Sequence, residues 1–574
     1  MSGGETWSRL LSLLQRRGSD TDGLCTGFPI GRGQEGDGGF FKVLGAWSQT
    51  IPVESGADGV EEERSAMSEN KGCELAAGER ERPNRRVRLK PVNREQMVLR
   101  PVEVEKLVPE DHEVRAIWEF VGCLDLSRYY EAIHAEEGEA GCSAFDPRVL
   151  ISCWLYAYSK GVGAAREVSR LTEEDSAYQW ITGLKAINYH TLSDFRVDHK
   201  EALDELFIEG LGLLSAEGLV SLERVMHDGV KVKACASGDT FRREERIRAH
   251  LELAREQVGQ MGDPRTAEEV SPRVAKARQR VAREKQERLE KALEELEKIR
   301  ASKSSLEEKK KVRVSMTDPE ARIMKQSDGG FAPSYNIQIT TDGKEKVIVG
   351  VGVSQCGSDY GELVPAMEKV EENMGRNPEQ AVVDGGFISR ENILAMDRKK
   401  IDLIGPMGDG AGQSEGQLNR RGVEAAFRAE AFRYDAGSDT YTCPAGKVLR
   451  PDGKEEQPGR INYRYRAQGA DCQGCPFREK CCPQSGRRGR CIRRAVDDPV
   501  VVAHVEKMQT EEANEIYRQR GAVAEFPNAW IKDKIGLRQF RLRGLIKVGM
   551  EILWACLTYN IKQWIRLCWR ARWA

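Results

Sequence analysis

The sequence predicts an α/β protein, a core of helices with a sheet, on three observations. The apolar pattern is helical from about Asp111 onward, and it changes to a period of two in SYNIQITTDGKEKVIVGVGVS, residues 334–354. Asp342-Gly343 marks a turn inside that run, as in a hairpin. A helical stretch (ELVPAMEKVEENM), a short strand (QAVVD) and a helix after Ser389 then follow, the succession of an α/β core.

At 574 residues the chain should hold three or four parts. Residues 1 to about 66 are rich in Gly, Ser and acidic residues without a sustained period, so a disordered extension is expected, taken here to residue 90. Met67 opens MSENKGCE just before regular pattern begins and is a second candidate translation start. Residues 91–220 read as a helical DNA-binding or dimerisation domain. Val114, Ile117, Trp118 and Val121 line one helix face, and Asp146-Pro147 opens a helix, RVLISCWLYAYSKG, apolar enough to be buried. GAAREVSRLTEED and YHTLSDFRVDHKEALDELF, joined through Gly183, resemble a helix-turn-helix. The second helix either offers His190, Thr191, Ser193 and Arg196 to DNA or packs in a core.

Residues 221–241 supply the first strand of the α/β core, and residues 242–312 interrupt it with a coiled coil. Leu289, Leu293, Leu296 and Ile299 stripe a charged helix supported by pairs from Glu287 to Lys291 and from Glu294 to Lys298. Gly262-Asp263-Pro264 separates it from an earlier helix, making a hairpin arm that is a solvated strut or a clamp on DNA or on a second subunit. The core continues over 313–430, a cysteine-rich insertion spans 431–500, and helices complete the core over 501–574.

A net charge of −2 means that any nucleic acid must be held by local basic patches. The start carries no secretory pattern, which places the chain in the cytoplasm. Leu545 to Trp569 is apolar but interrupted by Lys547, Glu551, Asn560, Lys562 and Arg566, so a buried helix is expected there and no membrane span. Fifteen cysteines without an export signal point to metal binding or burial instead of disulfides.

Asp228 stands in an alternating run, LERVMHDGVKVKA, where a buried charge needs a reason, and Asp384 follows Val382-Val383 and precedes Gly385-Gly386 at a strand's carboxyl end. From the local residues alone, each also reads as a turn-forming aspartate, as Asp-Gly commonly is. HDGVKVKACAS, TDPEARIMKQSDGGFAPSYNIQ, VVDGGFISRENI and YRQRGAVAEFPNAWIKDKIGLRQFRLRG, taken together, resemble insertion-sequence transposases of the DDE type, over about Pro91 to Gln563. The resemblance implies a ribonuclease-H-like mixed sheet, with Asp228, Asp384 and Glu525 as catalytic carboxylates binding Mg²⁺ or Mn²⁺. It puts Tyr517, Arg520, Glu525 and Lys532 in a tyrosine, arginine, glutamate, lysine pattern. Two Mg²⁺ ions about 4 Å apart want hard oxygen ligands, with Asp228 bridging both. Lys532 lies seven residues after Glu525, two turns on, where it can grip phosphate, and Arg520 can anchor another. Pro527 sits two residues after Glu525; if the helix restarts there Glu525 still points inward, and otherwise Glu515 substitutes.

Cys443, Cys472, Cys475 and Cys481 are spaced like a four-thiolate Zn²⁺ site, with Cys482 and Cys491 nearby; reduced thiols or an iron–sulfur centre are the alternatives. Arg478, Lys480, Arg487, Arg488, Arg490, Arg493 and Arg494 surround them. Beyond Glu525, Lys534, Arg538, Arg541, Arg543 and Lys547 suit a DNA backbone. The expected activity is cleavage at transposon ends and joining of the 3′-hydroxyl to target DNA, with the terminal inverted repeats and the target as partners and a homodimer as the acting form. The rivals are an inactive DNA-binding remnant and a nuclease of the same fold.

Overall fold

The structure is a computed structural model that describes residues 97, 101–133, 143–262, 271–408, 416, 418–484 and 487–572. The extension to residue 90, the Met67 start and the Asp263-Pro264 break fall outside the described residues. The chain divides into two units, residues 15–101, of which Met97 and Pro101 are described, and residues 1–14 with 102–574. All that follows concerns the second.

Local sequence signals set the amino-terminal helices. Asp146 accepts from the Arg148 N–H at 2.8 Å and Pro147 opens the helix Pro147–Ser159. Asp175 and Asn188 cap Ser176–Thr182 and Tyr189–Asp198 in the same way. Gly183 ends the former at φ 60°, a left-handed conformation that glycine adopts without strain. The second limb of the expected helix-turn-helix is two helices, because the chain breaks at His199 before Lys200–Ala216.

Strand β1 (Arg224–Lys233) enters the sheet next, and β2 (Phe241–Arg242) pairs with β3 (Val314–Ser315) at the root of the helical arm. The arm consists of Glu244–Gly262 and Pro272–Ala301, with the short helix Leu306–Lys311 after them. Its expected charge pairs are rearranged: Lys298 takes Glu295 at 2.8 Å and Lys291 reaches Glu320 at 3.8 Å. Glu295 is 2% exposed, so its charge draws in Lys298 and Arg322 ahead of any solvent-facing pair.

β4 (Arg322–Lys325), β5 (Phe331–Asp342), β6 (Ile348–Ser354), β7 (Gln380–Val382) and β8 (Asp402–Ile404) complete the main sheet. Its order is β4, β5, β1, β7, β8, with β6 also on β5. β1, β5 and β6 are antiparallel neighbours, while β7 and β8 join parallel to β1. The hairpin turn falls where Asp342-Gly343 placed it: the Asp342 carboxylate accepts from the Lys344 N–H at 2.9 Å, and the Asp342 N–H donates to Val347 O at 2.8 Å. Helices Leu363–Met374 and Arg390–Arg398 follow, the second capped by the Ser389 hydroxyl on the Asn392 N–H at 3.0 Å.

The amino-terminal helices and the sheet share one apolar core, in which Trp154, Tyr158 and Phe120 pack near Trp554 and Trp564 of the helix Leu545–Trp564. That helix is buried on nearly every side. Among the described residues no helix is long and apolar enough to cross a membrane. The cysteine-rich insertion holds a structure the sequence did not disclose, a second antiparallel sheet of β9 (Arg433–Asp435), β10 (Thr440–Thr442), β11 (Val448–Gln457), β12 (Arg460–Ala467) and β13 (Cys491–Asp497). Leu449, Tyr465 and Ile492 form its small core.

Candidate active site

Side chains alternate across a strand, so Met226 and Asp228 of β1 face the same way. β7 runs parallel to β1 with Val382 opposite Met226, and two residues further along each strand come Asp228 and Asp384. The face they share is covered by a separate apolar cluster, Met226, Val382, Ile404, Ala513, Val523 and Ala524, against which Ile516 and Tyr517 pack. This cluster seats the helix Glu511–Arg518 and the segment after it, so burial of Val523 and Ala524 brings Asn528 to Asp228 and Glu525 to Arg520.

After Val383 the chain turns sharply. Asp384 Oδ1 accepts from the Gly386 N–H at 2.7 Å, and Gly385 is needed because a Cβ there would stand 3.1 Å from Pro406 O. Fully buried Phe387 anchors the turn. On the opposite face of β1, His227 is fully buried, with Nδ1 and Nε2 each 2.9 Å from Thr340 Oγ1 and Gln338 Oε1. Burial pushes its imidazole down to about 4, so it is a neutral strut.

Between Glu511–Arg518 and the helix Phe526–Asp533 lies a π-helical turn, Gly521–Glu525. Pro527 falls in the first turn of the new helix, where its missing N–H costs no bond, and Glu525 stands at the N-cap position without a side-chain capping bond. The Arg520 guanidinium stands between two carboxylates, with Nη1 3.6 Å from Asp228 Oδ1 and Nη2 3.6 Å from Glu525 Oε1. These are charge contacts longer than hydrogen bonds, and Nη1 is buried without a hydrogen-bond partner. Glu525 keeps 64% of its side chain exposed. Glu515, the fallback, pairs with Arg518 at 2.7 Å on an exposed face.

Asn528, one turn beyond Glu525, donates from Nδ2 to Asp228 Oδ2 at 3.0 Å, while its buried Oδ1 has no hydrogen-bond partner. Sequence reasoning missed it; its one signal was a position three residues after Glu525, on the same helix face. Burial pushes the Asp228 carboxyl up to about 6, and the nearby Asp384 charge adds to this against the pull of Arg520, the Asn528 amide and the Gly229 N–H. Lys532 is lowered by burial first and by Arg538, with Asp228 opposing. Among the described residues no three His, Cys, Asp or Glu side chains stand at metal-ligand spacing. Asp228 thus lies near the Asp384 charge and is bonded to an amide whose oxygen is unused, while Glu525 faces Arg520.

The expected DNA contacts divide. Arg196 is corrected: it is 4% exposed, donates from Nη1 to Gly163 O at 2.7 Å and lies 4.5 Å from the Trp154 ring. A buried guanidinium needs a partner, and fully buried Glu551 supplies the opposite charge. Arg538, Arg541 and Arg543 are exposed beside the Lys233 end of β1, which the strand-like pairing of Lys233 with Arg538 and Phe540 positions. Arg543 also donates to Cys235 O at 3.1 Å, and Arg541 lies against Gly163 near Glu551.

Cys443, Cys472, Cys475 and Cys481 line one small cavity, joined by Cys482 and not by Cys491. The Lys447 N–H points at Cys443 Sγ and the Arg490 N–H at Cys472 Sγ, each at 3.3 Å. Burial raises the Cys472 thiol and pushes that of Cys481 up to about 12. The thiols therefore gather in one place without meeting at ligand spacing.

Two family models match the chain. The transposase domain DUF772 covers residues 102–198, within the amino-terminal helices, and the transposase DDE domain covers residues 442–565, which include strands β11 to β13 of the second sheet, Arg520, Glu525, Asn528 and Lys532. Asp228 and Asp384 lie outside both matched segments. No curated protein matches the chain. With one transposase model on its helical segment and another on its carboxy-terminal third, the chain belongs to the insertion-sequence DDE transposases.

Proposed function

We propose that this DNA transposase cuts at transposon ends and joins the freed 3′-hydroxyl to target DNA, with Asp228, Asp384 and Glu525 as its metal-binding carboxylates. The observation that carries the reading is the parallel register of Met226 with Val382, which sets Asp228 and Asp384 side by side on the face where Glu525 arrives. The strand order β6, β5, β1, β7, β8, three antiparallel and two parallel, is that of a ribonuclease-H-like sheet and supports the same reading.

The residues fit hard divalent cations: two neighbouring carboxylates, of which Asp228 has a raised proton affinity, and beside them the unpartnered oxygen of Asn528. Mg²⁺ or Mn²⁺ bound there supplies Lewis acidity to the attacking and leaving oxygens of an in-line displacement. Asp228 and Asp384 hold the charge that receives the cation. Arg520, released from Asp228 and Glu525, moves to the scissile phosphate, and Lys532 steadies a neighbouring one. In the first step water attacks phosphorus and the 3′-oxygen leaves as a hydroxyl; in the second that hydroxyl attacks a target phosphodiester and its 3′-oxygen leaves. Arg538, Arg541 and Arg543 bind the DNA backbone, and the acting form is a homodimer. The cysteine-lined cavity is the place for Zn²⁺, supported by five thiols in one cavity and two N–H groups aimed at sulfur.

Incubation with transposon-end DNA and Mg²⁺ tests the reading. Wild type should give 3′-hydroxyl ends and joined products, and Asp228→Ala and Asp384→Ala neither. Cleavage without joining would make the chain a nuclease, and activity indifferent to both changes would refute the site.

A further inference from the structure

The arm is electrically lopsided. In the long helix Pro272–Ala301, residues 285–300 carry five Lys or Arg against five Glu, while residues 272–284 carry Arg273, Lys276, Arg278, Arg280 and Arg283 against Glu284 alone. Arg273, Lys276, Arg280 and Arg283 follow one another at spacings of three, four and three, so they form one stripe on one helix face, about 15 Å long at 1.5 Å per residue. All four are exposed. Arg280 lies 3.6 Å from Glu284, and the other three have no carboxylate partner among the described residues.

The root of the same helix is built to stay still. Leu289, Ala292 and Leu296 are buried against Ile247, Leu251 and Ala254 of the other arm helix. Buried Glu295 holds Arg322 of β4, and Glu320, which Lys291 approaches, also accepts the Leu545 N–H at 3.0 Å where the buried carboxy-terminal helix begins. Arg255 to Glu290 at 3.0 Å and Lys285 to Gln257 at 3.3 Å mark the two helices still side by side. Beyond Ala282 the apolar positions Val281 and Val274 are exposed, so packing does not explain this part of the helix.

We propose that residues 273–283 of the arm are a DNA-backbone contact separate from the active site, a rigid strut whose basic stripe lies along phosphates of duplex DNA. The proposal rests on the transposase reading and adds a surface to it. Charge complementarity chooses the occupant: a row of exposed cations, three of them without a carboxylate partner among the described residues, suits a polyanion, whereas a second copy of a chain with net charge −2 offers no comparable density of negative charge.

The test uses the full chain with Arg273→Gln, Lys276→Gln and Arg280→Gln combined, and a fluorescein-labelled random-sequence DNA duplex, with affinity read by anisotropy across a salt series. Loss of three phosphate contacts should flatten the slope of log K against log salt by roughly 2 to 3 and weaken binding at least tenfold near 0.15 M salt. Circular dichroism should be unchanged, since the changed residues are exposed. An unchanged slope overturns the proposal, and if the variant instead falls from dimer to monomer in sedimentation, the stripe serves a second copy and the proposal is equally overturned. Asp228→Asn separates the two claims: it should bind duplex with the wild-type slope yet fail to cleave. Failure of wild type to bind DNA would sink the transposase reading itself.

Discussion

Asn528 and Asp228, 300 residues apart in the chain, meet through one hydrogen bond of 3.0 Å from the amide Nδ2 to the carboxylate Oδ2. Asn528 is 7% exposed, so its amide has little access to replacement water. Asn528→Ala should cost about 1 to 3 kcal/mol in thermal or denaturant unfolding and slow end cleavage by up to roughly a hundredfold, because Asp228 loses its orienting donor. Wild-type stability together with wild-type cleavage would show that the contact does not matter.

Arg196 gives a contrasting prediction. As a buried counter-charge near Glu551, its replacement by Met leaves a fully buried carboxylate with Arg541 as its remaining cation, and unfolding stability should fall by up to about 3 to 5 kcal/mol. The salt dependence of DNA binding should not move. A flattened salt slope at unchanged stability would put Arg196 on the DNA.

Glu209 makes the fold pH-sensitive. Burial chiefly pushes its carboxyl up to about 7, the Asp125 and Glu205 charges add to this, and the Asp125 N–H at 2.6 Å opposes it. A raised carboxylate means that folding favours the protonated form: its contribution is complete below the ordinary value near 4.5 and is lost as pH rises through 7. Glu209→Gln should therefore be more stable than wild type above pH 7 by on the order of 1 to 3 kcal/mol and equal to it below pH 4.5. Denaturation midpoints at pH 4 and pH 8 check the sign.

Elemental analysis of the purified protein should find about one zinc per chain, lost in Cys443→Ser with Cys472→Ser. A zinc-free wild type with fully titratable thiols would make these ordinary buried cysteines.

Features set by neighbouring residues were readable in the sequence. The Asp146 and Ser389 caps, the Asp342 turn and the buried Leu545–Trp564 helix each depend on residues a few positions apart, and each formed as the pattern indicated. The Asp384 turn was visible as Asp-Gly-Gly after two valines. What depended on distant partners was not readable. Arg196 looked like a surface cation because Glu551 lies far along the chain, and Asn528 carried no motif because its meaning comes from Asp228. The sheet β9 to β13 escaped notice because its longest strand, Val448–Gln457, is almost wholly exposed and lacks an apolar alternation.

The wide turn at Gly521–Glu525 fixes the angular phase of everything after it. Each residue of an ordinary helix advances by about 100°, so trimming one residue here to restore a regular spiral would swing Asn528 and Lys532 about a quarter of a revolution away from Asp228. The loosened coil therefore acts as a vernier: the number of residues from Gly521 to Glu525 sets which later side chains face Asp228, and a chain shortened there would have to meet Asp228 with other residues.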